Sequence, residues 1–357
     1  MSSEYSSFGR KLYYMNDKNI HDGLLARRVK VSDLVSFLSS RGFIVSNQST
    51  KAELLEVLKT IRFDYFDYSQ LSSILENPDR KDNISNEVVN ERISISTLKN
   101  TIDKVNDSLK IDDVQLKLTV ESKKRLSVEV NYVDVDFTKP PMRQKSTKKE
   151  VVEIRVDDDS ANIVFPATEM GKRVKNEIIS QVSKYLNKKI TPKIIDFSYK
   201  SCESRTLFFT RLIREIPSYD VFDVVSTSVK SSSDEASKTA TDTITGLVRN
   251  AVLKGRAVLD SNIYQSLPGS EYYIYKISWK IREVKPGVTS EVADCYSVEA
   301  QFDDTENSKG FRYLVKQVQR YSNGKLNSTY GKLSKSEVDE LSDNIYRTAL
   351  KIYESIN

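Results

Sequence analysis

From Asp113 onward the apolar residues stop recurring every three or four positions and begin to alternate. Val114, Leu116, Leu118 and Val120 are spaced by two, and so are Leu126, Val128, Val130 and Tyr132. Side chains of a strand point by turns to its two faces, so this spacing predicts half-buried strands. The register then slips to Val133, Val135 and Phe137, as a bulge would cause. A third strand carries Val152, Ile154 and Val156, and Asn162 to Phe165 continues the sheet before a helix bearing Val174, Ile178, Ile179, Val182 and Leu186. Upstream of Asp113 the periodic stretches are helical. A chain patterned in this way is α+β: an N-terminal helical module, then mostly antiparallel sheet with long helices.

The order of strands followed by a long helix occurs a second time. After a mixed stretch over 191–225 with a helical piece around Leu207, Phe208, Leu212 and Ile213, the segment Ser226 to Asp242 is rich in Ser and Thr and reads as mobile. Ile244, Leu247, Val248, Ala251 and Val252 predict a helix ending at Gly255. Strands then carry Tyr273 to Ile281, Val292 to Phe302 and Phe311 to Val315, and a last helix starts at Ser334 with Glu337 completing a capping box. Three domains are expected: 1–92, helical with a polar linker over 77–92; 93–225; and 226–357, each of the last two a sheet with a long helix.

The stretch 30–62 has spacing that suggests a task as well as a fold. Val31, Leu34, Val35 and Leu38 form one apolar helix face, and Arg41-Gly42 stops that helix. An extended Phe43-Ile44-Val45 leads to Thr50-Lys51-Ala52-Glu53, a capping box that starts a second helix with Leu54, Leu55, Leu58 and Ile61 on one face. This helix, extended turn, helix pattern resembles the SAP motif, a small DNA-binding module of chromatin and DNA-repair proteins. The matching positions are Val31, Leu34, Leu38, the Arg41-Gly42-Phe43 turn, Lys51, and Leu54 to Leu58. The family has glycine before the lysine where this chain has Ser49-Thr50. The resemblance implies phosphate-backbone contact by Lys51, flanked by Arg41 and Lys30.

Charge clustering points the same way. The chain's formal net charge is +5 with a pI near 8.8. Between 27 and 62 stand seven basic residues, Arg27, Arg28, Lys30, Arg41, Lys51, Lys59 and Arg62, against three acidic ones, Asp33, Glu53 and Glu56. A second basic run, Lys139, Arg143, Lys145, Lys148 and Lys149 in a Pro-broken loop over 139–149, is either a further phosphate contact or a solvated hairpin tip. Phe63, Tyr65, Phe66 and Tyr68 either stack on unpaired bases or close the small core of the helical module, the second being favoured. Ile95, Leu98, Ile102, Val105 and Leu109 repeat at 3, 4, 3, 4, a short seam that packs within its own domain or pairs two copies of the chain.

Catalytic chemistry finds little footing. A single histidine, His21, makes triads, general acid–base pairs and histidine zinc sites poor expectations. Cys202 and Cys295 are far apart with no CxxC pair, and phosphate-cradling glycine motifs are absent. A metal-dependent nuclease needs only carboxylates and a lysine, and two loose matches exist: Asp113 with Glu121 and Lys123, and Asp260 with Glu283 and Lys285. Asp157-Asp158-Asp159 reads as a turn between strands. No apolar run approaches the roughly 20 residues of a membrane helix, and the N-terminal residues lack a secretion-signal core, so a cytoplasmic protein is expected. Low His and Gly with abundant Lys, Ser, Asn and Ile would suit a bacterial accessory factor in DNA transactions or defence. The sequence reading is therefore a non-enzymatic, cofactor-free protein binding the duplex DNA backbone, with the nuclease and a DNA-independent docking protein as alternatives.

Overall fold

In the computed structural model, which describes residues 16–27, 29–46, 48–75, 81–231, 250–255, 272–284 and 292–356, helices precede a large antiparallel sheet, an α+β fold. The helices are α1 (Asp17–Leu24), α2 (Val31–Ser40), α3 (Lys51–Lys59), α4 (Tyr65–Leu75), α5 (Ile95–Leu109), α6 (Pro141–Gln144), α7 (Glu169–Tyr185), α8 (Cys202–Leu212) and α9 (Lys335–Ile356). The strands are β1 (Ile84–Val89), β2 (Gln115–Val120), β3 (Arg125–Val135), β4 (Lys145–Val156), β5 (Ala161–Pro166), β6 (Tyr219–Ser231), β7 (Asn250–Lys254), β8 (Tyr272–Glu283), β9 (Cys295–Asp304) and β10 (Lys309–Gln319), with a small hairpin of β11 (Tyr321–Ser322) and β12 (Lys325–Leu326). The ten long strands follow the order β2-β3-β4-β5-β1-β10-β9-β8-β6-β7. Strands followed by a long helix do occur twice along the chain, ending in α7 and in α9. Among the described residues no helix is long and apolar enough to cross a membrane.

Two compact units emerge. The first takes in the described residues up to 75 together with 95–152 and 177–187. Its helical module packs Leu24, Leu34, Phe37, Leu38, Leu54 and Leu71 into one core. Phe63 stacks on Phe37 at 6.3 Å and Tyr68 is partly buried on the same core, so these aromatics close the core; Phe66 remains exposed. The basic run 139–149 is a loop only at its start, where Lys139 and Pro140 stand in an exposed turn. Residues 141–144 form α6, Met142 is 1% exposed in the core of the helical module, and β4 starts at Lys145 rather than Val152. Gly23 of α1 makes this possible: a Cβ there would sit 2.9 Å from the Met142 Cβ. The 3, 4, 3, 4 seam lies in α5, where Leu98, Ile102, Val105 and Leu109 are buried within the chain and the Asn106 side chain accepts from the Leu116 amide of β2.

The second unit comprises 81–94, 153–176 and the described residues from 188 on. One sheet face of β8, β9 and β10 buries Ile277, Trp279, Val298, Ala300, Phe302 and Tyr313 against Phe208 and Phe209 of α8 and Leu341 and Ile345 of α9. The rings of Phe197, Phe208, Phe209 and Phe302 meet at centroid distances of 5.0–5.9 Å.

Three sequence expectations change here. The polar stretch 77–92, expected as a linker, carries β1, which pairs antiparallel with β5 over its whole length and with β10 at Ile84↔Tyr313 and Ser85↔Arg312. Its polar residues have partners built for them: the Ser85 hydroxyl donates to the Phe311 carbonyl, Asn86 accepts from the Tyr313 hydroxyl at 2.9 Å, and Glu87 receives Lys175 at 2.7 Å. Ser226, expected in a mobile segment, lies inside β6, which runs to Ser231; the rest of that segment is outside the described residues. Ala251 and Val252, expected in a helix, belong to strand β7, paired with β6 from Ser226↔Lys254 to Lys230↔Asn250. Beta-branched and small residues that fit either period were settled by the neighbouring strand.

The second capping box is present and does more than start α9. Ser334 and Glu337 exchange bonds, and Glu337 also receives Arg320 from the end of β10, at 2.8 Å for one nitrogen, and the Tyr296 hydroxyl. Arg320 and then Ser334 hold the Glu337 carboxyl down to about 2. A depressed carboxyl stabilises the fold fully above its ordinary value near 4.5, and that contribution is lost as pH falls toward 2. We expect the wild-type urea midpoint to fall across this window, and the Glu337→Gln variant, weaker at pH 7, to fall less.

Candidate nucleic-acid interface

Local capping sets the geometry of the helical module. The Thr50 hydroxyl accepts from the Glu53 amide at 3.3 Å and the Glu53 carboxylate accepts from the Thr50 amide at 2.8 Å, as the spacing predicted. That box points Lys51, the first residue of α3, back toward the end of α1, where its ammonium donates to the Ala26 carbonyl at 2.8 Å. The same carbonyl accepts from the Val29 amide, closing the turn between α1 and α2. Burial lowers the Lys51 pKa. Arg27 and Lys30 stand in this turn, both exposed and without side-chain partners among the described residues. Asp33 is spent on the Lys30 backbone amide at 2.9 Å, capping α2. Arg27, Lys30 and Lys51 therefore meet at one corner of three helices. Arg28 lies outside the described residues.

The other end of α2 is organised differently. Gly42, at φ +81°, closes the helix with the Phe43 amide on the Leu38 carbonyl and its own amide on the Ser39 carbonyl, a paired closure that a residue with a Cβ would strain. The Arg41 guanidinium then crosses to α4: it pairs with Asp67 at 2.9 Å, lies 3.8 Å from Asp64, and donates to the Arg62 carbonyl at 3.2 Å. Asp64 and Asp67 cap α4 by exchanging bonds with each other's amides at 2.8 and 3.0 Å, and the Asp67 side chain is only 5% exposed. Arg41 thus works as a clasp between helices. Lys59 pairs with Glu56 one turn away at 2.5 Å. Arg62 is exposed, its side chain without a partner among the described residues. Ten residues of α2 place Lys30 and Arg41 about 15 Å apart. Sequence reasoning missed Asp67; the signal was the Asp64-x-x-Asp67 spacing before an apolar helix, overlooked in favour of the aromatics between.

The second basic run supplies structural pairs. Lys139 bonds Asp136 at 2.9 Å and Lys149 bonds Glu129 at 2.7 Å, while Lys145 and Lys148 are half-buried along β4. Thr138 and then Lys139 hold the Asp136 carboxyl down to about 2. Arg143 sits in α6, with its side chain outside what the structure describes.

The first nuclease constellation does not assemble. Glu121 and Lys123 sit in the turn between β2 and β3, where Glu121 pairs with Arg125 at 2.9 Å and accepts from Ser127. Asp113 precedes β2, at the opposite end of six strand residues, roughly 20 Å away. In the second, Glu283 ends β8, while Asp260 and Lys285 lie outside the described residues. Asp157 makes the expected turn, its amide on the Ser160 carbonyl. Among the described residues no three His, Cys, Asp or Glu side chains gather as a metal site.

No protein-family model matches the chain, and no curated protein sequence matches it.

The clasp gives a direct test. Asp67→Ala removes both a helix cap and the partner of Arg41, and we expect a loss of about 2 kcal/mol in urea unfolding. Lys59→Ala, which breaks one exposed pair, should shift stability by less than about 0.5 kcal/mol.

Proposed function

We propose that this protein binds duplex DNA through its phosphate backbone, using the corner formed by Arg27, Lys30 and Lys51, and catalyses no reaction on it. The observation that carries this reading is the Lys51–Ala26 bond, which gathers three cations from separate stretches at one exposed turn. Arg62 adds a further exposed cation to the module, whereas Arg41 and Lys59 are occupied by carboxylates. Cations carried on a tight turn and a helix start suit contact with phosphates, and of the three only Arg27 has the forked donors that read a base edge. Binding is accordingly electrostatic and indifferent to sequence. The resemblance of 30–62 to the SAP motif supports the same assignment.

Neutralising three phosphates releases counterions and gives a plot of log affinity against log salt a slope of about −2.7. A salt titration with duplex DNA should show this for the wild type, and Arg27→Ser with Lys30→Ser should make the slope shallower by about 1.8 without changing sequence preference. Binding that ignores salt, or a double variant that keeps the full slope, would remove the proposal and leave the module as a docking element.

A further inference from the structure

The sheet of the second unit has a polar face opposite its aromatic core, and this face carries cations, exposed rings and a sunken carboxylate. Alternation along β8 places Lys276, Ser278, Lys280 and Arg282 on it, with about 7 Å between successive residues. Across the strands, Lys276 pairs in register with Gln301 of β9, and Gln301 with Arg312 of β10. Glu299 lies beneath: its side chain is 11% exposed and takes Lys276 at 2.8 Å, Lys316 at 2.6 Å and the Ser278 hydroxyl at 2.9 Å. The lysines are more exposed, 31% and 38%. One carboxylate thus anchors two ammonium groups and leaves a positive charge over. Asp303 is shared in the same way by Lys172 and Arg312. Lys280 bonds the neutral Gln319 at 3.3 Å, and Asp223 and Asp220 of β6 stand opposite Lys280 and Arg282 in register.

Two rings border this row. The Arg282 guanidinium lies 3.8 Å from the Phe222 centroid, and the Lys280 ammonium 5.7 Å from that of Tyr330. Each of these residues remains 46% exposed, so the cation covers only part of each ring. Phe222 follows Val221, which packs on the core, so alternation turns its ring to the polar face, and it stands at a break in the β6–β8 register between Val221↔Ile281 and Asp223↔Lys280.

We infer that this face binds single-stranded nucleic acid, its cations following the phosphates and Phe222 and Tyr330 stacking on unpaired bases. Exposed rings beside regularly spaced cations favour a single strand over a duplex, whose bases are already stacked on one another. A flexible acidic peptide would satisfy the cations and leave the rings unused. The site shares no residue with the corner at Arg27, Lys30 and Lys51, and the two assignments stand or fall separately.

The test uses the full chain and fluorescein-labelled oligo-dT and oligo-U, with heparin as a polyanion that has no bases. The wild type should bind at least one oligonucleotide, and the tighter of the two identifies DNA or RNA as the strand. Phe222→Ala and Tyr330→Ala should each weaken that binding roughly 5- to 100-fold and leave heparin binding within twofold. Lys280→Gln should make the salt slope shallower by about 0.7. Arg27→Ser with Lys30→Ser should leave oligonucleotide binding intact. If Phe222→Ala fails to fold by circular dichroism, the comparison of Tyr330→Phe, which keeps the ring and should bind like wild type, with Tyr330→Ala decides. No binding of either oligonucleotide, unchanged affinity on removal of a ring, or equal losses for oligonucleotide and heparin would overturn the inference.

Discussion

The ten-strand order depends on β1, a six-residue strand with polar side chains at half its positions. Among the described residues it is the strand that joins β5 to β10 in the sheet. Such a strand holds only if most of its polar groups find partners, since each one left unsatisfied in the interior costs about 1–3 kcal/mol. Ser85 meets the β10 backbone, Asn86 a β10 tyrosine and one oxygen of Glu87 an α7 lysine, while the other Glu87 oxygen is buried without a hydrogen bond. Those partners arise far along the chain, so β1 is a strand by virtue of the fold around it. Ile84 and Val88 meanwhile pack on the aromatic core. One short strand satisfies both faces.

The helical module follows a similar economy with charge. Asp33, Glu53, Asp64 and Asp67 all accept from backbone amides at helix starts, where a carboxylate also complements the helix dipole. The acidic residues are therefore structural, and so is Arg41, which Asp67 holds. Once these are assigned, the apparent excess of cations over 27–62 shrinks to those that face outward. Arg27 and Lys30 owe their position to the Ala26 carbonyl, which both the Val29 amide and the Lys51 ammonium close upon. A turn fixed in this way presents charge from an ordered backbone, so only the side chains of Arg27 and Lys30 remain to be ordered on meeting an anion.

Features fixed within a few residues were legible in the sequence. Both capping boxes, the glycine stop after α2, the alternation of β2 and the Asp157 turn all appear where spacing put them. Features decided at long range were not. β1 has too few apolar residues to announce a strand, β7 has residues that suit either period, and α6 owes its place to Met142 fitting over Gly23, more than a hundred residues away. The same division holds at the candidate site. Lys51 and Lys30 could be picked from the motif, but that Lys51 bonds Ala26 and thereby recruits Arg27, while Arg41 is withdrawn onto Asp67, depends on how four helices pack.

The most direct test of the central claim, that the corner at Arg27, Lys30 and Lys51 faces DNA, is amide hydrogen exchange of the full chain with and without saturating duplex. The account predicts slowed exchange over 26–31 and 50–53, with the amides of 85–89 slow in both states and unchanged by DNA. Slowing confined to other segments, with 26–31 and 50–53 exchanging as in the free protein, would contradict it.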